Sequence, residues 1–226
     1  MLLIFVKKIK EAKNTISFIF KPEIPFKWKS GQFLHYTLPH RNADDRGIER
    51  YFTIASAPFE GIVLITTRLA EEKSSSFKKT LNSLKAGDTI EAVGPDGEFT
   101  VDNINQEMIF IAGGIGITPF RSMLLDFEHK KVSPKVTLLY SNKTEDFPYK
   151  KLLEGLTKTN PNLKIHYFVH PKRIDESSFK KIVKNLNKPI FYVSGPGGMV
   201  KNLTNLLIEI GVPSDHIRKD LFPGYD

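Results

Sequence analysis

Four segments of this sequence carry residue types at spacings suited to chemistry. Ile111-Ala112-Gly113-Gly114-Ile115-Gly116-Ile117-Thr118-Pro119 joins an apolar run to a helical pattern, with Thr118 placed to cap the helix and Pro119 at its first position. Glycines there let the backbone approach a ligand, and a helix N-terminus offers unpaired N–H groups at a positive dipole end, which suits a pyrophosphate. A second such turn, Gly195-Pro196-Gly197-Gly198-Met199, opens another helical pattern. Two such turns on one sheet face would bracket an extended ligand, although each alone can also be a tight strand-to-helix turn that binds nothing. In Arg50-Tyr51-Phe52-Thr53, an extended strand sends Arg50 and Phe52 to one face and Tyr51 and Thr53 to the other. Arg50 can fork onto a phosphate and Phe52 can cover an aromatic ring; the plainer reading is a barrel strand with a snorkelling arginine. Ser74, Ser75 and Ser76 open a helical pattern, where one serine suffices as a cap and three hydroxyls suit a diphosphate.

The elements that must position these residues fall into two halves. Up to residue 102, short β-branched or aromatic runs alternate with period two: Leu2 to Ile9, Thr15 to Lys21, Gln32 to Leu38, Tyr51 to Ile54 and Ile62 to Arg68. Many short strands at even spacing predict a small antiparallel barrel or sandwich. One helix interrupts it, with Phe77, Leu81 and Leu84 on one face and Gly87 as its stop. From residue 103 the rhythm changes. Met108 to Ala112, Val136 to Tyr140, Leu163 to Val169 and Ile190 to Ser194 read as buried strands. Helical patterns at Phe120–Phe127, Phe179–Leu186 and Leu203–Ile210 lie between or after them, which predicts βαβ units and a parallel sheet. Two domains are expected, 1–102 and 103–226.

Composition narrows the chemistry. With no cysteine among 226 residues there is no disulfide framework, no thiolate zinc or iron–sulfur site and no cysteine nucleophile, so redox chemistry needs a cofactor held by other groups. No metal site is expected. The apolar start, Met1 to Val6, is shorter than a signal-peptide core, and no run approaches the roughly 18 residues of a membrane span; a soluble, cytoplasmic protein is expected. The net charge of +8 favours an acidic partner. It divides as +2 before the boundary and +6 after it, spread over helices and loops rather than massed with aromatics, which disfavours a nucleic-acid-binding module. The glycine turn departs from G-x-G-x-x-G, and no acidic residue ends the following run at Tyr140-Ser141-Asn142, which weakens a generic dehydrogenase reading.

In their order, these motifs resemble the ferredoxin–NADP reductase-like flavoprotein reductases. Gly31-Gln32-Phe33, Arg50-Tyr51-Phe52-Thr53, Ser75-Ser76-Phe77-Lys78 through Gly87-Asp88, Gly94-Pro95-Asp96-Gly97-Glu98-Phe99, residues 113–119, Gly195 to Met199 and Asp220 to Tyr225 all fall where that family has motifs. The resemblance implies an N-terminal antiparallel Greek-key β-barrel for flavin, then a Rossmann-like parallel α/β domain for NAD(P). It implies FAD rather than FMN, held by Arg50, Tyr51, Phe52, Thr53, Ile65, Thr67, Ser74, Ser75, Ser76, Phe222 and Tyr225. It implies NADPH or NADH, held by Gly113, Gly114, Gly116, Thr118, Pro119, Ser141, Asn142, Lys172, Arg173, Gly195, Pro196, Gly198 and Met199. Thr53 would lie near flavin N5, Ser194 stands where many relatives have a cysteine beside the nicotinamide, and Tyr225 would shield the flavin. Lys172 and Arg173, after Leu163 to Val169, would pair with a 2′-phosphate and so favour NADPH. The family's usual Tyr is Phe52 here, and a frequent Gly is Lys73.

The implied activity is hydride transfer between nicotinamide and flavin N5, with electrons leaving to a separate acceptor such as ferredoxin, flavodoxin or a small molecule. Two alternatives use the same fold: a flavin reductase for which flavin is a diffusing substrate, and an electron-transfer subunit of a larger complex.

Overall fold

The computed structural model describes residues 1–69 and 74–222. Six strands form an antiparallel sheet: β1 (Leu2–Ala12), β2 (Thr15–Pro22), β3 (Phe33–Thr37), β4 (Glu49–Thr53), β5 (Val63–Arg68) and β6 (Thr89–Asp96), in the order β4-β3-β6-β1-β2-β5. The edge strands β4 and β5 approach each other, so the sheet curls into a barrel. Its interior holds Leu3, Phe5, Phe18, Phe20, Leu34, Tyr36 and Ile65, closed at one end by α1 (Ser76–Ser83) through Phe77 and Leu81. The period-two alternation has this cause: one face of each strand must fill that interior.

The second sheet is parallel, in the order β11-β10-β7-β8-β9, from β7 (Met108–Gly113), β8 (Val136–Asn142), β9 (Leu163–Val169), β10 (Ile190–Pro196) and β11 (Ile217–Phe222). Helices α2 (Thr118–His129) and α3 (Lys150–Thr159) cover one face; α4 (Glu176–Ile182) and α5 (Gly197–Glu209) cover the other. Every residue of β7 is buried, as expected of a central strand covered on both faces. No helix among the described residues is long and apolar enough to cross a membrane.

Three elements were not legible in the sequence. β6 buries only Ile90 and Ala92 and ends through Gly94-Pro95, so its alternation is too short to register. β11, Ile-Arg-Lys-Asp-Leu-Phe, is charge-rich and exists because β10 offers it a ladder. α3 begins after Tyr149 in a left-handed conformation and carries Gly155 within a lysine-rich stretch. Other boundaries differ modestly: α1 stops at Ser83 with Leu84 as its C-cap, before the predicted stop at Gly87, and α4 ends at Ile182 rather than running to Leu186.

The two sheets are joined by largely buried polar contacts. Arg121 of α2 pairs with Glu60 at 2.8 and 3.0 Å and donates to the Ala55 carbonyl at 2.7 Å; Ser122 donates to the Ser56 carbonyl at 2.7 Å. Behind β5, the Tyr149 hydroxyl meets Ser17 at 3.0 Å and also Thr66. The Arg121 and Glu60 side chains are 11% and 19% exposed, so removing one partner strands the other charge away from water. Glu60→Ala is expected to lower unfolding free energy by about 2–4 kcal/mol in urea titration. A change within about 0.5 kcal/mol, the range of an ordinary surface substitution, would show that the pair does not hold the seam.

Candidate functional site

The glycine turn lies at the carboxyl end of β7, where parallel sheets leave a crevice. Its conformation corrects one expectation. Thr118 does not cap α2: a 3-10 turn, Gly114–Ile117, runs straight into the helix, Ile117 is already helical at φ −70°, ψ −17°, and the Thr118 hydroxyl donates to the Ile115 carbonyl at 3.0 Å. The first N–H groups without an intrahelical acceptor therefore sit at the start of the turn, around Gly114, rather than at Thr118. Pro119 lies in the first turn of α2, as its fixed φ allows.

The glycines divide by role. A Cβ on Gly116 would stand 2.2 Å from the Ser194 carbonyl oxygen, and one on Gly113 would stand 2.3 Å from Met199 Sδ. The two glycine turns are thus packed on each other, with the Met199 thioether between them, and only backbone fits at Gly116. Gly114 is different. At φ +54° it faces the crevice, and its missing Cβ points at Arg68 Nη2, 3.3 Å away, and at Asn142 Oδ1, 4.0 Å away. Tyr140 donates to the Gly114 carbonyl at 2.9 Å, and the Asn142 amide donates to the Thr144 and Asp146 carbonyls, fixing the loop beyond β8. Ser141 pairs in register with Gly113. Pro196 and Gly198 lie at the start of α5, on the far side of the same crevice. Lys172 and Arg173 are exposed beyond β9, with Lys172 Nζ 5.4 Å over the Phe168 ring.

On the barrel side, Arg50 and Phe52 do share a face. Arg50 Nη1 donates to the Arg46 and Gly47 carbonyls at 2.7 and 3.3 Å, and its guanidinium lies 5.4 Å over the Phe77 ring. Phe52 packs between Tyr36 and Phe77 at 5.8 and 5.9 Å. The ring left exposed is Tyr51, 62% accessible and stacked on His35 at 4.3 Å. Thr53 is buried at the end of β4. Ile65 and Thr67 point to the face opposite Thr66, with Ile65 fully buried in the barrel core, so β5 offers a ligand its main chain there.

The three serines have separate partners. Ser74 is buried just ahead of α1; Ser75 caps the helix, accepting from Lys78 N–H at 3.3 Å. The Ser76 hydroxyl is bonded to His40 at 2.8 Å and to the Asp44 N–H at 2.9 Å, while its own N–H donates to the Asp44 carboxylate at 2.8 Å. That bond, with the Arg46 contact, holds the Asp44 carboxyl down at about 2. Beside it the cations converge. Lys78 lies in the first turn of α1, where the dipole disfavours a cation, and its pKa falls to about 8 through burial and then through Arg50, Arg46 and Arg68. Four cations thus gather near one carboxylate, Asp44, which pairs with Arg46 at 2.7 Å and stands 3.9 Å from Arg50, and the excess positive charge suits a seat for an anion. Lys78 falls in the motif read as a diphosphate helix and Arg68 ends the strand read as lying alongside the flavin, but neither side chain is named as a ligand contact from sequence, although a lysine in a first helical turn is itself a signal.

Ser194 and Asp220 are opposed in the β10–β11 register, and the fully buried Ser194 hydroxyl donates to Asp220 Oδ2 at 3.1 Å. Burial pushes the Asp220 carboxyl up to about 6, the serine bond only partly offsetting it. Asp220 also went unassigned in the sequence, where it reads as part of an aromatic tail. Phe222 ends β11 in register with Pro196; Tyr225 and Lys73 lie outside the described residues. Between its ordinary pKa and about 6, Asp220 binds more protons in the folded chain than in the unfolded one, so its charge costs stability as pH rises through that window. Relative to Asp220→Asn, the unaltered chain is expected to lose roughly 2–3 kcal/mol of unfolding free energy between pH 4 and 7. Parallel stability profiles for the two proteins would remove the assignment.

Comparison with known proteins fits this geometry. The family described as "Oxidoreductase NAD-binding domain" matches residues 110–205. The chain is 30% identical to a subunit of the Na(+)-translocating NADH-quinone reductase of Idiomarina loihiensis over 208 residues, covering 80% of this chain and 50% of that protein. It spans about half the length of the curated relatives it matches. Its fold is that of the FAD/NAD-binding domain of a Vibrio cholerae nitric oxide dioxygenase, with a TM-score of 0.85, 18% identity and 98% coverage of both chains. A ferredoxin-NADP+ reductase from Plasmodium falciparum superposes with a TM-score of 0.81 at 20% identity, covering 98% of this chain and 95% of that one. With the barrel, the parallel sheet and the crevice between them, the chain shares the two-domain fold of these FAD- and NAD-binding oxidoreductases, and its residues 110–205 carry the match to an oxidoreductase NAD-binding domain.

Proposed function

We propose that this chain is the reductase unit of an NAD(P)H-dependent flavoprotein, with residues 1–102 holding FAD and residues 103–226 holding the nicotinamide coenzyme. One observation carries the reading: Lys78, Arg50, Arg46 and Arg68 converge at the start of α1, where burial first and then the three arginines disfavour the lysine's charge. A diphosphate relieves that repulsion, and the residues therefore fit a flavin dinucleotide. When bound, the flavin accepts a hydride from nicotinamide and passes electrons on to an acceptor. The protein's part is placement. Arg50 is oriented by the carbonyls of Arg46 and Gly47, and Phe52 gives the strand an apolar wall. Gly114 lets a second dinucleotide approach the main chain beneath Arg68, which serves as its counter-charge from the barrel side. Ser194 and Asp220 set a polar, buried floor at the ends of β10 and β11.

The acceptor is proposed to be an acidic redox protein such as ferredoxin or flavodoxin, in keeping with the +8 charge. A second reading, free flavin as a diffusing substrate, draws on Asp44. Its carboxylate already occupies the Ser76 N–H at the start of α1, where it competes with a flavin phosphate. Co-elution of flavin in gel filtration separates a prosthetic group from a diffusing one.

Purified protein is expected to show flavin absorbance or to bind added FAD, and to bleach anaerobically with NADPH or NADH. A preparation that binds no flavin and never bleaches defeats the proposal. Flavin affinity is expected to fall as pH rises through about 8, where Lys78 loses its charge. Lys78→Met should weaken FAD binding by about tenfold or more and flatten that pH dependence. A variant with unchanged affinity and pH profile would take Lys78 out of the seat. Initial rates with both coenzymes decide the NADPH preference drawn from Lys172 and Arg173; equal or better turnover with NADH removes it.

A further inference from the structure

One edge of the parallel sheet is open. Strand β9 is last in the order and pairs only with β8 among the described residues. A groove of about 1270 Å³ runs along it, and its wall includes five consecutive residues, Lys164 to Phe168. Successive side chains of a strand point to opposite faces, so a wall built from consecutive residues is the strand's own edge, where N–H and C=O groups lack a ladder partner.

The rest of the groove is cationic. Lys135, Lys164, Lys172, Lys181, Lys184 and Lys188 line it: Lys135 just ahead of β8, Lys164 from β9, Lys181 from α4, and the others from the segments that follow β9 and α4. Glu107 is the one acidic residue in the lining, and Lys135 takes it up at 2.8 Å. The His166 pKa is lowered by burial and then by Lys164, Lys172 and Lys181. Lysines strung along an edge with their heads in water would serve only to keep other strands away. Here the exposed lysines line one concave wall, so their fields add along the edge they flank.

From the open edge, the groove and its charge, we propose that β9 is a docking site for an extended acidic segment of a partner protein, taken up by strand addition. The segment's main chain would complete the ladder of β9, and its carboxylates would meet the lysines. A polynucleotide fits less well: every cation in the lining is a lysine rather than an arginine, and a sugar-phosphate backbone cannot extend a β-ladder. The proposal stands apart from the flavin chemistry and needs neither nucleotide bound.

The test uses the full chain and a labelled peptide of alternating glutamate and valine, followed by fluorescence anisotropy at low salt. Two further peptides carry N-methyl groups at the odd or at the even residues, because an added strand uses alternate N–H groups toward its neighbour. Saturable binding is expected, with one methylated peptide weakened about tenfold and the other retained. The double variant Lys164→Glu/Lys181→Glu should weaken the unmodified peptide by about tenfold or more, with thermal unfolding followed in parallel to show that it folds. Lys188→Glu, beyond α4, is a second variant should the first fail to fold. Equal affinity for all three peptides means charge attraction alone and overturns strand addition. Absent saturable binding, unchanged affinity in a folded variant, or tighter competing binding of single-stranded oligothymidylate overturns the proposal as well.

Discussion

The geometry of the crevice depends on the largely buried Arg121–Glu60 ion pair, the charged member of a set of polar contacts between the two sheets. Arg121 sits three residues into α2 after Thr118, and Glu60 and Ala55 lie just beyond the end of β4 at Thr53. The turn that opens α2 and the strand that carries Arg50 are therefore each only a few residues from the same clamp. A fork of two charge-assisted bonds to Glu60, with a third to a backbone carbonyl, fixes direction as well as distance. An apolar seam of equal area would hold the sheets together without specifying their rotation. That rotation is what brings Arg68, a barrel residue, over Gly114, a residue of the parallel sheet.

Once the seam is set, the crevice is built mostly from main chain. Gly116 permits the two glycine turns to touch backbone to backbone, and the Met199 thioether fills the space left by Gly113. A sulfur side chain is suited to such an irregular gap because it adapts without a polar demand. The consequence is rigidity where a ligand needs close approach. The residue left open is Gly114, and the neighbouring side chains that face it, Arg68 and Asn142, come from different sheets. A dinucleotide lying there would touch both halves of the molecule at once, which couples its affinity to the integrity of the seam.

The parts of this arrangement that could be read from sequence are those fixed by local pattern. β7 announced itself as an unbroken apolar run, and the glycines after it marked a turn at a helix start. What escaped were features created by distant partners. Thr118 looks like a cap because of its type, yet Gly114–Ile117 had already begun the helix. The close packing of Gly113 on Met199 and of Gly116 on the Ser194 main chain, some eighty residues away, leaves no mark in the local pattern. β11 has no apolar alternation of its own and is ordered by β10. Lys78 and Asp220 acquire their properties from burial and from residues on other elements, none of which leaves a mark at neighbouring positions.

The net charge of +8 likewise joins two different physical situations. Lys78 is largely withdrawn from water beside three arginines, two of which share the Asp44 carboxylate, so an anion entering there meets a compact and weakly screened excess of positive charge. The lysines along β9 are mostly solvated, and their joint field is long-ranged at low salt and faint beyond about 10 Å at 0.1 M. The first arrangement favours tight, local recognition of a compact charge; the second favours capture of a chain that presents many charges in a row. Lys172 follows the carboxyl end of β9 and lines the edge groove. If the proposed coenzyme phosphate and the proposed acidic segment both use Lys172, they compete for one side chain.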